Sequence, residues 1–372
     1  MHILSAGYSH TRGVDSPLEW LSRIGFYTGI LEELAKDNRV TSIEQIDYDG
    51  IVERNGVEYH FLNSCPGVSK GVAKLNRYIR DLTPNVVLIN GLSFPLQVIN
   101  LRSMLPSRTK IILLHRADKP AKGIKRGLQV FADRCVDHYA FISEEMGNSW
   151  VKKGIISSRK KIIEAIDASS VFNYGNREEA RNITGVSGNP VFLWVGRLEA
   201  NKDPVTVVKG FQKYAAENRD ARLYMIFQDN GLLNEVKRLV AESEDPDCIR
   251  LIGKVERDDL EPWYNSADYF ISGSHYEGSG ISVVEAMSCG CIPILTNIVS
   301  FRKLSLNGTC GVLYKAGNAD ALYNALNRLG EIDKDEMRER ILSAFRENFS
   351  FRAIAGKLNS VIHHNAHNPT PA

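Results

Sequence analysis

The sequence predicts an α/β protein of two doubly wound domains in tandem, each a parallel sheet covered on both faces. Three observations predict it. The chain has 372 residues, beyond the size at which one core stops growing. Short apolar runs alternate with stretches of helical spacing, the pattern of strands buried on both sides. The pattern then restarts at residue 191, after a polar segment holding Gly185, Gly188, Asn189 and Pro190.

The elements follow in chain order. Residues 2–6 form a short apolar strand. Trp20, Ile24, Tyr27, Ile30, Leu31 and Leu34 recur at helical spacing. Residues 51–53 and 57–62 flank Asn55-Gly56, the dipeptide of a tight hairpin. Val72, Leu75, Tyr78, Ile79 and Leu82 mark a helix that Pro84 ends. Strands are expected at 86–89, 111–114, 139–143 and 161–166, the second running into His115. Residues 178–189 read as a linker. Beyond them, 191–195 is a strand ending in Gly196-Arg197, and Asp203-Pro204 starts a helix, cap residue then proline. Further strands are expected at 223–227, 249–252, 269–272 and 291–295, with helices near 232–241, 258–266 and 281–288. The expected domains are 1–175 and 186–349. Each should place its ligand edge at the carboxyl ends of its strands, and two such edges facing each other would make a cleft.

Hydrophobic residues are 43% and charged residues 24%, which excludes a disordered chain, a collagen and a disulfide miniprotein. The start, MHILSAGYSH, has neither the basic nor the apolar region of a signal peptide, and no run of 18 apolar residues spans a membrane. The six cysteines (Cys65, Cys135, Cys248, Cys289, Cys291 and Cys310) form no C-x-x-C and read as reduced core residues, as expected in the cytoplasm. The net charge of +2 hides +5 in residues 1–186 and −3 in 187–372. Residues 70–134 alone hold thirteen Lys and Arg against three Asp. Lys74, Arg77 and Arg80 share one helix face, and Lys119, Lys122, Lys125 and Arg126 form a second group. No aromatic interleaving suggests nucleic acid.

The chemistry concentrates in SGSHYEGSGISVVEAMSCGCIPI, residues 272–294. A strand leads into a loop with Gly273, Gly278 and Gly280, and a helix opens near Ile281. Such a helix start offers N–H groups and a positive dipole end to a phosphate. Two readings fit Glu285. Ser282 to Glu285 spells a capping box, yet Val283, Val284, Ala286 and Met287 make the helix apolar nearly all round, where a carboxylate needs a partner. A second stretch, VFLWVGRLEANKDP (191–204), places Arg197 just past a strand end and Lys202 just before a helix. They are either solvated cations or a phosphate-binding pair.

Together these segments resemble the retaining nucleotide-sugar glycosyltransferases of family 4, glycosyl transferases group 1, which have the GT-B fold. The family's G-R-x4-K element is matched by Gly196, Arg197 and Lys202, and its E-x7-E element by Glu277-Gly278-Ser279-Gly280 through Glu285. Residues 164–172 resemble the segment closing the first domain at Ile166, Asp167 and Phe172, but not at Glu164 and Ala165. The likeness is specific over 190–315, looser over 85–172, and limited to strand–helix order in the first 80 residues.

The resemblance implies two Rossmann-like domains facing across a cleft, the first for the acceptor, with a terminal helix at 350–366 crossing back to it. It implies transfer from a nucleotide-diphosphate sugar to a hydroxyl acceptor, a glycan or lipid-linked sugar of envelope polysaccharide or glycoconjugate synthesis, with no cofactor and no metal. Arg197 and Lys202 would hold the diphosphate and Glu285 the ribose. Glu277 would stand at the donor sugar, with Gly196, Gly278, Ser279, Gly280 and Ile281 around it. His115 matches the family's cleft histidine, although a histidine after an apolar strand can equally be structural. Arg116, Asp118 and Tyr8 are acceptor-side candidates. The basic stretch is either a solvated face or one that meets an anionic membrane from the cytoplasmic side. The first loop lacks the family's paired glycines, having Ala6-Gly7-Tyr8, and Ser279 stands where an aromatic residue is common. Asp47-Tyr48-Asp49 spells a metal-binding D-x-D of a different glycosyltransferase fold, but precedes the hairpin and reads as structural. A different GT-B enzyme, such as an epimerase or phosphorylase, would lack the E-x7-E with its upstream Arg and Lys. A non-catalytic partner subunit would have lost some of them.

Overall fold

A computed structural model describes residues 1–63 and 69–364; Cys65 and the Lys70 side chain lie outside the described residues. The chain divides into two compact units. The first is residues 1–169 with the terminal helix Phe351–His364, and the second is Ser170–Ser350.

The first unit is built on eight strands: β1 (His2–Gly7), β2 (Arg39–Glu44), β3 (Gly50–Arg54), β4 (Val57–Phe61), β5 (Val86–Asn90), β6 (Lys110–Leu114), β7 (His138–Phe141) and β8 (Ile162–Glu164). Their order is β3-β4-β2-β1-β5-β6-β7-β8. Every pairing is parallel except β3 on β4, the hairpin that Asn55 (φ 50°) and Gly56 (φ 81°) turn. The order departs from β1 in both directions, so the switch point lies between β1 and β5.

β2 was not legible as a strand. Its centre, Thr41 and Ser42, is polar yet fully buried. The hydroxyls are satisfied, Thr41 at 3.0 Å from His2 Nε2 and Ser42 donating to Glu44 at 2.7 Å, so neither carries the cost of an unpaired polar group. The helical stretch after β1 is two helices, Pro17–Arg23 and Gly25–Leu34. The terminal helix Phe351–His364 packs on the second of these. Gly29 permits the approach, since a Cβ there would stand 2.7 Å from the Phe351 ring. Asp47 accepts from the Gly13 N–H at 2.6 Å and Asp49 from the Asn63 N–H at 2.9 Å, which gives both carboxylates of the D-x-D a place in the fold.

The second unit has β9 (Val191–Gly196), β10 (Arg222–Phe227), β11 (Ile249–Gly253), β12 (Tyr269–Ser272), β13 (Ile292–Thr296) and β14 (Val312–Tyr314). All are parallel, in the order β11-β10-β9-β12-β13-β14. Its switch point lies between β9 and β12. The linker expected at 178–189 is corrected: it begins with a helix, Arg177–Thr184, that belongs to this unit. Asn176 caps it, and Arg177 and Arg181 hold Asp268 at 2.7 and 3.2 Å. The helix reads as polar because Ala180 is its one buried residue and its arginines bond residues 266–268, ahead of the strand. Of the five described cysteines, all free, four are buried and Cys135 is only half-buried. Among the described residues no helix is long and apolar enough to cross a membrane.

Burial holds three histidines of the first unit, His2, His115 and His138, below their ordinary value of 6.5. Each folded pKa is depressed, so the unfolded chain takes up these protons first. Their contribution to stability is complete above 6.5 and drains as pH falls toward the folded values. Thermal unfolding of the first unit is therefore expected to shift downward between pH 7 and 5.5 (roughly, from the ordinary imidazole range). His115→Gln should flatten that slope, and an unchanged slope in the variant would remove His115 from the account.

Candidate active site

The carboxyl ends of β9 and β12 carry two loops, 197–203 and 273–280, and the backbone stitches them together. The His275 N–H donates to the Asn201 carbonyl at 2.8 Å, and the Asn201 side-chain amide donates to the Tyr276 carbonyl at 2.9 Å. Gly273 lets them touch: a Cβ there would lie 2.9 Å from the Asp203 carbonyl oxygen and 3.0 Å from that of Lys202. Asp203 takes a left-handed conformation (φ 46°), caps the helix Pro204–Glu217 through the Thr206 N–H, and meets His275 Nε2 at 3.1 Å.

This stitching brings Lys202 and Glu277 into direct ion-pair contact. The Ser274 hydroxyl donates to the same Glu277 oxygen at 2.7 Å. Both charged side chains are partly shielded, Lys202 with 20% and Glu277 with 14% of the side chain exposed. Arg197 stands farther out, 64% exposed and paired with Glu199 at 2.9 Å. A cation and a carboxylate thus converge at the switch point, where open parallel sheets bind ligands.

Behind them opens the helix Ile281–Ser288. Its N-cap is Gly280, left-handed at φ 61°, which has no side chain to cap the first turn. The capping-box reading of Glu285 is therefore not what forms. Glu285 is 3% exposed. One oxygen accepts from the Tyr264 hydroxyl at 2.8 Å and the other pairs with Arg257 at 2.9 Å. The Arg257 guanidinium in turn lies over the Phe172 ring at 5.4 Å. Burial pushes the Glu285 carboxyl above the ordinary range against the pull of Arg257 and Tyr264, and burial also drives the Tyr264 hydroxyl upward. The apolar helix announced that Glu285 needs a partner; nothing in sequence spacing named Arg257 or Tyr264. Ser274 and Asn201 were likewise missed, because their roles depend on two loops 70 residues apart meeting.

In the first unit, His115 follows β6 and is 3% exposed. Its Nε2 is 3.0 Å from the Asp118 carbonyl oxygen, and its ring packs on Phe141 with centroids 4.8 Å apart. Burial keeps it neutral at pH 7. Arg116 pairs with Asp167 at 2.8 Å and lies over the Phe26 and Tyr27 rings. Asp118 accepts from the Leu92 and Arg116 N–H groups and from the Ser93 hydroxyl, so it organises the loops after β5 and β6. Tyr8 is buried and donates to Asn76 at 2.8 Å.

The glycosyl transferases group 1 family model matches residues 176–347. A GDP-mannose:cellobiosyl-diphosphopolyprenol alpha-mannosyltransferase of Xanthomonas campestris is 27% identical over 221 residues, 58% of this chain and 55% of that protein. A UDP-Gal:alpha-D-GlcNAc-diphosphoundecaprenol alpha-1,3-galactosyltransferase of Escherichia coli is 26% identical over 241 residues, 61% of each chain. The matches thus span little more than half the length of these curated relatives. Among solved structures, HepE of Anabaena in complex with UDP superposes with a TM-score of 0.75 at 16% identity, covering 98% of this chain and all of that one. A glycosyltransferase of Rickettsia africae gives 0.74 at 15%, covering 99% of both. These structural likenesses show the fold, GT-B. The glycosyl transferases group 1 model thus matches nearly the whole length of the second unit, Ser170–Ser350.

Proposed function

We propose that the chain is a retaining glycosyltransferase of family 4 that moves a sugar from a nucleoside-diphosphate sugar to a hydroxyl of a glycan or lipid-linked acceptor, without a metal ion. The observation that carries this reading is the Lys202–Glu277 pair held at the switch point of a glycosyl transferases group 1 unit. Breaking the anomeric bond leaves negative charge on the departing diphosphate, and fixed cations there stabilise the transition state more than the ground state. Lys202, released from Glu277 by the diphosphate, supplies one such charge and Arg197 a second. The helix start at Gly280 and Ile281 offers its N–H groups to the same phosphates. Glu277, freed, faces the donor sugar, and Glu285 accepts from the ribose hydroxyls. In the first unit, His115, Arg116, Asp118 and Tyr8 shape the acceptor side. The Xanthomonas and Escherichia relatives are named for diphosphopolyprenol-linked acceptors, and the basic stretch 70–134 suits an enzyme that works peripherally on an anionic leaflet.

Melting the chain with UDP, GDP, ADP and their sugars tests the donor assignment. A cognate nucleotide at a hundredfold its Kd should stabilise the protein by about 2.7 kcal/mol. No shift with any of them overturns the proposal.

A further inference from the structure

The helix Gly123–Ala132 of the first unit carries large apolar residues on its outward side. Gln129 and Ala132 are buried against the fold. On the opposite face, Ile124 is 88%, Phe131 50% and Val130 41% exposed. Helical geometry places these three with the exposed Gly127 on one side, turned away from residues 129 and 132. A helix standing in water ordinarily shows polar residues there. Leu96, at the second position of the neighbouring helix Pro95–Met104, is 58% exposed as well.

The charge around this face has one sign. Residues 119–134 contain Lys119, Lys122, Lys125, Arg126 and Arg134, all exposed, and a single carboxylate, Asp133. Asp133 is 3% exposed and paired with Lys161 at 3.1 Å, so it does not offset them at the surface. The Arg134 guanidinium lies over the Phe131 ring at 5.7 Å, a cation placed at the border of the apolar face. The helix opens eight residues after His115, on the chain leaving the carboxyl end of β6.

We propose that this helix is a membrane-docking element that lies in the interface of an anionic leaflet. Ile124, Val130 and Phe131 enter the boundary between headgroups and acyl chains, and the surrounding Lys and Arg meet lipid phosphates. The inference rests on the lipid-linked acceptor reading above and gives it a physical mode. Apolar insertion anchors the enzyme beside the loop that carries His115, so binding does not depend on charge alone.

The test is sedimentation of the full chain with vesicles of phosphatidylcholine alone and of phosphatidylcholine with phosphatidylglycerol, at low and high salt. The wild type should pellet with the anionic vesicles. Ile124→Ser/Phe131→Ser should lower the partition coefficient by about tenfold or more at low salt, where charge alone would retain it. The nucleotide-dependent melting shift should be the same in both proteins. That shift reports the donor reading separately, so its loss from the wild type with vesicle binding intact would fail only the transfer assignment. The docking proposal is overturned if the double variant pellets like the wild type, or if the wild type ignores anionic vesicles. It is also overturned if the substitutions instead convert a dimer to a monomer, which would assign the face to a second copy of the chain.

Discussion

Lys202→Ala is expected to lower kcat by about two to three orders of magnitude, the loss found when one preorganised donor to developing negative charge is removed. The fold should survive. Its partner is not stranded, because Glu277 keeps the Ser274 hydroxyl at 2.7 Å. The cap of the next helix is Asp203, which the substitution leaves in place. Because the ammonium acts on charge that grows only as the diphosphate departs, kcat should fall further than KM rises. Lys202→Arg keeps the charge but not the compact point geometry, and should recover only part of the rate. Arg197→Ala should cost less, since Arg197 is largely solvated with Glu199 as its neighbour. A steady-state assay settles the matter: a Lys202→Ala enzyme with full turnover would show that the diphosphate is held elsewhere.

How far the sequence reached follows from what each feature depends on. Strands buried on both faces were legible because they are uninterrupted apolar runs, as at Val86–Asn90 and Ile292–Thr296. Arg39–Glu44 escaped because its buried centre is Thr41 and Ser42, and only the partners His2 and Glu44 make that burial tolerable. Val312–Tyr314 escaped because three residues on a sheet edge leave no periodicity to detect. In the site, Lys202, Glu277 and Glu285 were visible as charges at fixed spacing beside glycines. That Lys202 meets Glu277 was not visible, since the contact depends on Gly273 admitting the backbone of the other loop. On the acceptor side, Arg116 and Asp118 are candidates in the sequence because they follow His115. In the fold each has local partners. Arg116 engages Asp167 and two rings, and Asp118 holds the backbone of two loops. Charge counting located the basic stretch, but the apolar outward face of Gly123–Ala132 needed the structure, because the same residues would fill a core-facing helix equally well.

Arg257→Ala should destabilise the second unit by about 3–5 kcal/mol at neutral pH, the loss expected when one partner of a buried ion pair is removed. Glu285 would keep Tyr264 as a donor but lose the positive charge that opposes its desolvation. The loss should depend on pH in a definite sense. Burial already raises the folded pKa of Glu285 above the ordinary 4.5. Below that value the carboxyl is protonated in both states and Arg257 matters little. As pH climbs through the raised folded value, the variant must bury an unpaired charge or hold a proton that the unfolded chain releases, and stability falls. Adding Glu285→Gln should restore most of it, because the amide carries no charge and its oxygen still accepts from Tyr264. This double variant separates structure from chemistry. A carboxylate has lone pairs beyond those used by Arg257 and Tyr264, so Glu285 can accept from ribose hydroxyls without surrendering either. If it does, the double variant should melt near the wild-type temperature and yet lose most of its nucleotide-dependent shift. A double variant that is stable and still shifted in full would leave Glu285 a purely structural residue, and a single Arg257→Ala within 1 kcal/mol of wild type (roughly the limit for exposed pairs) would show that the pair is not buried in solution.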